Sequence, residues 1–142
     1  MTELHILLVE DNEGDIVLTF DAFEESKIKT KISVAKNGKE ALDFLFKREC
    51  FKDVEKPDLV LLDLNIPIFS GMEVLKEVKQ HPRLKTTPII ILTTSSNPIE
   101  ISKAYEYHAN SFLTKPINIT EILKTILSFE EFWLKIYKFS DN

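Results

Sequence analysis

Five side chains that can handle phosphate or a metal ion follow short apolar runs of this sequence. Glu10 and Asp11 follow the first run, Asp63 the second, Thr93 the third and Lys115 the fourth. The runs are residues 6–9, 59–62, 89–92 and 112–113. Continuous runs of Val, Ile and Leu are typical of parallel strands covered on both faces, and open α/β sheets bind ligands beyond the carboxyl ends of their strands. The pattern therefore predicts one site for phosphoryl chemistry with a divalent metal.

The three acidic side chains define the candidate metal site. Glu10, Asp11 and Asp63 would repel one another at one rim of a sheet unless a cation neutralised them. Mg²⁺ prefers such an all-oxygen set, completed by a backbone carbonyl and water. The alternative is that Glu10 and Asp11 are only first-turn acids of a helix beginning after Asn12.

Asp63 is the candidate nucleophile, because a carboxylate can attack a phosphoryl group and form an acyl phosphate. Thr93 could donate its hydroxyl to a phosphoryl oxygen, and Lys115 could pair with one as a point charge. The alternatives are a turn role for Asp63 ahead of Pro67 and a solvated surface position for Lys115.

A capping residue followed three positions later by an acid marks five helix starts. The pairs are Asn12 with Asp15, Asn37 with Glu40, Ser70 with Glu73, Asn97 with Glu100, and Asn118 with Glu121. They predict helices at 13–26, 38–48, 71–80, 98–109 and 119–137, between strands at 4–9, 31–35, 58–62, 88–92 and 111–114. The sequence thus predicts five strand–helix units.

Composition narrows the class of protein. The 142 residues are enough for one domain with a hydrophobic core, and the net charge of −5 argues against nucleic acid as a partner. Cys50 is the only cysteine, and no apolar stretch is long enough for a membrane span. The N-terminus also lacks the features of a signal peptide. We expect a soluble, cytoplasmic, single-domain protein.

Four motifs together resemble the receiver domain of two-component response regulators. They are Val9-Glu10-Asp11-Asn12, Leu61 to Pro67, Ile91-Leu92-Thr93 and Thr114-Lys115-Pro116. The spacings agree as well, since Thr93 lies 30 residues and Lys115 lies 52 residues after Asp63. The resemblance covers residues 3 to 128. It implies a doubly wound, flavodoxin-like α/β fold with a five-stranded parallel sheet, and a receiver domain at 1–128.

The resemblance also implies roles in phosphorylation. Asp63 would be the phosphoacceptor and Asp11 a direct Mg²⁺ ligand. Glu10 would assist through a metal-bound water, and Asn65 would offer its backbone carbonyl to the ion.

Further roles concern the response to phosphate. Thr93 would be the switch hydroxyl, Lys115 would pair with the phosphate, and the Lys115-Pro116 bond would be cis. Phe112 occupies the aromatic switch position, and its alternative is an ordinary core residue of the fifth strand.

The C-terminal residues go beyond a minimal receiver. Residues 129–142 are predicted to extend the fifth helix, and their apolar side chains continue its spacing. We expect a homodimer interface, and the alternative is packing back onto the domain. The candidate interface residues are Phe129, Phe132, Trp133, Ile136 and Tyr137.

The predicted function is a switch phosphorylated by a sensor histidine kinase, not an enzyme that turns over a substrate. Residues 132–134, the loop at 48–57 and the stretch 105–110 resemble small regulators paired with cyanobacterial phytochrome kinases. Without a DNA-binding domain after the receiver, we expect action through partner contacts or onward transfer of phosphate. Two alternatives remain: an Asp-nucleophile phosphatase, given Asp63-Leu64-Asn65, and an interaction module independent of phosphate. In the phosphatase family the second position is an acid, which Asn65 is not.

Overall fold

The computed structural model describes residues 3–26, 28–94 and 97–128. A strand and a helix alternate throughout. The strands are β1 (Leu4–Val9), β2 (Thr30–Ala35), β3 (Leu59–Leu62), β4 (Ile89–Thr93) and β5 (Ser111–Thr114). The helices are α1 (Glu13–Glu25), α2 (Gly38–Leu45), α3 (Gly71–Gln80), α4 (Pro98–Glu106) and α5 (Ile119–Leu127), and a 3₁₀ helix spans Glu49–Phe51.

The five strands form one parallel sheet in the order β2-β1-β3-β4-β5. This is the flavodoxin-like order, in which the chain reverses direction across the sheet next to β1. β1 and β3 are buried along their whole length, as their continuous apolar runs predict. The predicted fold class is confirmed.

Helices cover both faces of the sheet, and alternate strand residues pack against them. Leu7 and Val9 of β1 belong to a cluster that includes Val74 and Leu75 of α3. Their neighbours on β1 point to the other face, where the cluster includes Phe23 of α1 and Ile122 of α5. The sheet is therefore rigidly held between two helical layers, and its carboxyl rim is left for the loops that carry the polar residues.

The capping residues behave as predicted. Asn12, Asn37, Ser70 and Asn118 each accept a hydrogen bond from the backbone N–H three residues later, whereas Asn97 accepts one from Ile99. Among the described residues, the longest helix is α1, with 13 residues. None of the helices in the described ranges is long and apolar enough to cross a membrane.

The predicted end of α2 at residue 48 is wrong, because the helix ends at Leu45. The N–H of Lys47 donates to the carbonyl of Phe44 at 3.2 Å, and that of Arg48 to the carbonyl of Asp43 at 2.8 Å. These two bonds form a Schellman motif, with Lys47 in the left-handed region at φ 56°. Glycine usually occupies the left-handed position of this motif, and the sequence has Lys47 there instead.

Two other helices also end earlier than predicted. α1 ends at Glu25 and α4 at Glu106, one and three residues earlier than predicted. The predicted extension of α5 through residue 137, and with it the segment 129–142, lies outside the described residues.

Candidate functional site

Backbone hydrogen bonds that continue the sheet beyond its strands fix the positions of the polar residues. The N–H of Asp63 donates to the carbonyl of Val9 at 3.1 Å, and the N–H of Lys115 donates to that of Thr93 at 2.8 Å. The N–H of Glu10 donates to the carbonyl of Ala35 at 2.9 Å. Since each residue is held by the neighbouring strand, the side chains project from a common rim.

Glu10, Asp11 and Asp63 lie together at this rim, as predicted. Each offers a carboxylate oxygen, and these oxygens are all within 4.8 Å of one another. Glu10 and Asp63 are buried, whereas Asp11 is exposed. One exposed and two buried carboxylates make a cluster open to solvent on one side only.

The backbone of the loop after β3 orients the Asp63 carboxylate. The N–H of Asn65 donates to Oδ1 of Asp63 at 2.9 Å. Gly71, the first residue of α3, donates its N–H to the carbonyl of Leu64 at 3.0 Å. A Cβ at Gly71 would lie 2.3 Å from the carbonyl oxygen of Asp63, so only glycine lets α3 begin this close to the loop.

Lys115 forms ion pairs with three acidic side chains at the rim. Its Nζ lies 2.5 Å from Oε1 of Glu10, 2.8 Å from Oδ2 of Asp63 and 2.8 Å from Oδ2 of Asp15. The Lys115 side chain is only 10% exposed, which excludes the alternative of a solvated surface lysine. The Lys115-Pro116 peptide bond is cis, as the resemblance implies.

Asp15 is a site residue that the sequence analysis missed, because it was treated only as a first-turn acid of α1. Nothing in the sequence distinguishes it from an ordinary acid in the first turn of a helix. The partner could not be read from sequence, as Lys115 lies 100 residues further along the chain.

The close packing of charged groups in the cluster shifts the pKa values of Glu10 and Lys115. Burial, together with the negative charge of Asp63, raises the pKa of Glu10 to about 7, against the opposing effect of Lys115. Burial alone would lower the pKa of Lys115, but its hydrogen bonds to Asp15, Asp63 and Glu10 raise it above its ordinary value. The site thus holds excess negative charge with one lysine as its internal counter-ion, which favours binding of a further cation.

Thr93 and Phe112 occupy neighbouring strands behind the cluster. Thr93 ends β4 and is fully buried, and it pairs in register with Thr114. Phe112 pairs in register with Ile91, is half-buried and packs against the core cluster on the α3 side of the sheet. This placement is compatible with a movable aromatic side chain as well as with an ordinary core residue.

The donor set fits Mg²⁺. Carboxylate oxygens from Glu10, Asp11 and Asp63 are hard ligands, and the exposed side of Asp11 leaves room for the waters that Mg²⁺ retains. The predicted carbonyl of Asn65 belongs to the same loop as Asp63.

Residues 6–127 match the response regulator receiver domain family. The chain therefore belongs to this family, whose members are phosphorylation switches of two-component signalling.

Two similar proteins match this chain over most of its length. Response regulator Rcp1 of Synechocystis sp. is 39% identical over 130 residues, which are 92% of this chain and 88% of Rcp1. The probable methanogenesis regulatory protein FilR2 of Methanothrix harundinacea is 39% identical over 129 residues, which are 91% of this chain and 83% of FilR2.

Solved structures agree with these relatives. The phosphorylated cyanobacterial phytochrome response regulator RcpA matches with a TM-score of 0.80 and 38% identity, over 94% of this chain and 95% of RcpA. The Mn²⁺-bound form of Rcp1 matches with a TM-score of 0.77 and 39% identity, over 92% of this chain and 94% of Rcp1.

Proposed function

We propose that this response regulator accepts a phosphoryl group on Asp63 from a phytochrome-type sensor histidine kinase, with Mg²⁺ at Glu10, Asp11, Asp63 and the carbonyl of Asn65. The observation that carries the proposal is the meeting of three carboxylates with the ammonium of Lys115 at one rim. The solved structure of RcpA, a cyanobacterial phytochrome response regulator that is 38% identical to this chain, supports the choice of kinase.

In the proposed transfer, a carboxylate oxygen of Asp63 attacks the phosphorus of a phosphohistidine. An O–P bond forms while the N–P bond breaks, and the imidazole leaves with the electron pair and takes up a proton. The N–H of Asn65 holds Oδ1 of Asp63, and Lys115 holds Oδ2. When bound, Mg²⁺ neutralises charge on the phosphoryl oxygens and on the surrounding carboxylates.

Phosphorylation would change the partners of two residues. The phosphoryl group adds about 1.5 to 2 negative charges and new acceptor oxygens. Lys115 would pair with one oxygen, and the Thr93 hydroxyl would turn toward another. Phe112 would then move inward into the volume that Thr93 vacates, and this differential set of contacts drives the switch.

The chain would act as a phosphoacceptor and not as a turnover enzyme. A phosphatase of the Asp-nucleophile type needs an acid two residues after the nucleophile, and Asn65 cannot protonate a leaving group. We place the protein in the cytoplasm, where a kinase partner would phosphorylate it, and expect neither nucleic acid nor membrane as a partner.

We also propose a homodimer, on the sequence of the C-terminal segment alone. The candidate residues all lie outside the described ranges, and they are Phe129, Phe132, Trp133, Ile136 and Tyr137. Light scattering of the wild type and Trp133→Ala tests this. A dimer that the substitution weakens is expected, and monomers in both samples at tens of micromolar would contradict it.

Phosphotransfer from a kinase tests the main proposal. A phytochrome-type histidine kinase, first labelled with radioactive ATP, is mixed with the wild type, Asp63→Asn or Asp21→Asn. Asp21 is an exposed acid of α1 outside the cluster, so its variant controls for the lost charge. We expect Mg²⁺-dependent label on the wild type and on Asp21→Asn only, and label on Asp63→Asn would refute the assignment of the acceptor.

A further inference from the structure

A cavity of about 300 Å³ lies at the end of the sheet where β3 and β4 begin, opposite the rim that carries Asp63. It forms where the end of α2, the segment before β3 and the segment between α3 and β4 meet. We call it the basic cavity, and its lining residues are Leu45, Phe46, Lys47, Lys56, Arg83 and Leu84. Its volume is at the lower end of the range of small-molecule sites, about 300–1,000 Å³.

The lining separates into an apolar floor and a cationic rim. Leu45 and Leu84 are buried, whereas Lys47, Lys56 and Arg83 are exposed. No acidic residue is among the six, although the whole chain carries 23 acids against 18 bases. Within the described ranges, no carboxylate lies within 4.0 Å of the three cationic groups.

The rim is partly ordered by its own backbone. The Nζ of Lys56 donates to the carbonyl of Arg83 at 3.0 Å, which ties the segment before β3 to the one after α3. The N–H of Arg83 donates to Nδ1 of His81 at 3.1 Å. A lysine ammonium has three donors, so Lys56 keeps two for a ligand while this bond holds it in place.

Lys47 stands where the fold favours glycine. It is the left-handed residue of the Schellman motif at the end of α2, with φ 56°. A side chain in this conformation lowers stability relative to glycine, and strain of this kind concentrates at functional sites. The charge of Lys47 also suits the negative end of the α2 dipole, but a lysine elsewhere in the last turn would serve that purpose without strain.

We propose that the basic cavity binds a small organic anion. Its apolar body contacts the floor, and its carboxylate or phosphate pairs with the rim. Three cations that have no carboxylate partner among the described residues surround an apolar floor, and this arrangement matches a ligand of the size of benzoate or phenyl phosphate. The site is separate from the phosphoacceptor, because Lys56 precedes β3 and Asp63 follows it.

The test is a titration of the ¹⁵N-labelled full chain without Mg²⁺, followed by amide chemical shifts. The probes are phenyl phosphate, benzoate, inorganic phosphate and benzyl alcohol. We expect saturable shifts at Phe46, Lys47 and Leu84 with the first two probes, and the tighter one identifies the anionic group. Amides near Asp63 report separately on any binding at the opposite edge.

Two of the probes can overturn the proposal. Inorganic phosphate binding as tightly as phenyl phosphate would contradict a role for the apolar floor. Benzyl alcohol binding as tightly as benzoate would contradict a role for the cationic rim. Absence of saturable shifts with every probe would refute the site altogether.

Lys47→Gly separates ligand binding from fold stability. The variant relieves the left-handed strain, so its melting temperature should rise by about 2–4 °C. Its dissociation constant for the tighter probe should rise about tenfold, because one charge-assisted contact is lost. Unchanged affinity would show that Lys47 serves only the helix end, and would contradict the proposal.

Arg83→Met and Lys52→Met complete the set. Arg83→Met removes a rim cation and should weaken binding similarly. Lys52 is exposed and does not line the cavity, so Lys52→Met removes the same charge without removing a contact. Equal weakening in Lys52→Met would reduce the effect to general charge and overturn the site.

Discussion

Nζ of Lys115 lies 2.8 Å from Oδ2 of Asp63, although 52 residues separate them in sequence. The same ammonium also contacts Glu10 and Asp15. Lys115 therefore acts as the counter-ion of the site as well as a candidate partner for phosphate. Any group that adds or removes charge here must change the environment of this lysine.

Replacing Lys115 by Met should destabilise the metal-free protein. The buried carboxylates of Glu10 and Asp63 would lose their counter-ion, which costs about 3 kcal/mol in the free energy of unfolding. Added Mg²⁺ should restore more stability to the variant than to the wild type, since no ammonium competes for Oδ2 of Asp63. Thermal unfolding with and without millimolar Mg²⁺ measures both effects.

Lys124→Met is the control for that experiment, as it removes a lysine from the last turn of α5. It should leave the response to Mg²⁺ unchanged. Equal Mg²⁺ shifts in Lys115→Met and the wild type would contradict the role of Lys115 as counter-ion.

Thr93→Val should uncouple phosphorylation from its consequence. The substitution keeps the buried volume of Thr93 but removes the hydroxyl that would donate to the phosphoryl group. We expect phosphate uptake to remain, with loss of the amide shift changes that uptake causes around Phe112. Identical phosphorylation-induced shifts in the variant and the wild type would exclude Thr93 as the switch.

Ile68→Gly should stabilise the fold. Ile68 is 65% exposed and sits at φ 73°, where a β-branched residue is strained. The gain in the free energy of unfolding is expected at about 1 kcal/mol, because glycine's larger unfolded-state entropy offsets part of the relief. Urea unfolding measures it, and Ile68→Val, which keeps the strain, should show no gain. Equal stability of the Gly and Val variants would refute the strain.

His5→Gln should flatten the acid side of the stability curve. Burial, with a smaller effect from the charge of Lys31, lowers the pKa of His5 in the folded chain. The unfolded chain therefore takes up a proton near pH 6.5 that the folded chain resists, so stability falls as pH drops below about 6.5. Gln can keep the contact that Nε2 of His5 makes with Ser33 Oγ at 2.9 Å. Urea unfolding at several pH values between about 8 and 5 measures the stability of the wild type and of His5→Gln. The wild type should lose more stability than the variant as pH falls. An equal loss in both proteins would contradict this account.

The fold was predictable because its signals are local. Each helix start carries its own cap, as Asn37 and Ser70 show, and the buried strands β1 and β3 are continuous apolar runs. The parallel arrangement then brings the strand ends to one rim, which is why Glu10 and Asp63 could be placed together from sequence.

The features that escaped prediction depend on contacts between distant residues or on unusual backbone. The bond between Asp15 and Lys115 spans 100 residues. The end of α2 relies on a left-handed Lys47, which has no sequence signal comparable to glycine. Nζ of Lys79 likewise binds the carbonyls of Lys85 and Thr87, a role that only the folded chain reveals.

The most direct test of the account is the intact mass of the chain after incubation with acetyl phosphate. The wild type and Asp63→Asn are compared with and without Mg²⁺, so no kinase is needed. We predict a single phosphoryl adduct on the wild type that requires Mg²⁺ and is absent from Asp63→Asn. An adduct of equal yield on Asp63→Asn would contradict the assignment of Asp63 as the phosphoacceptor.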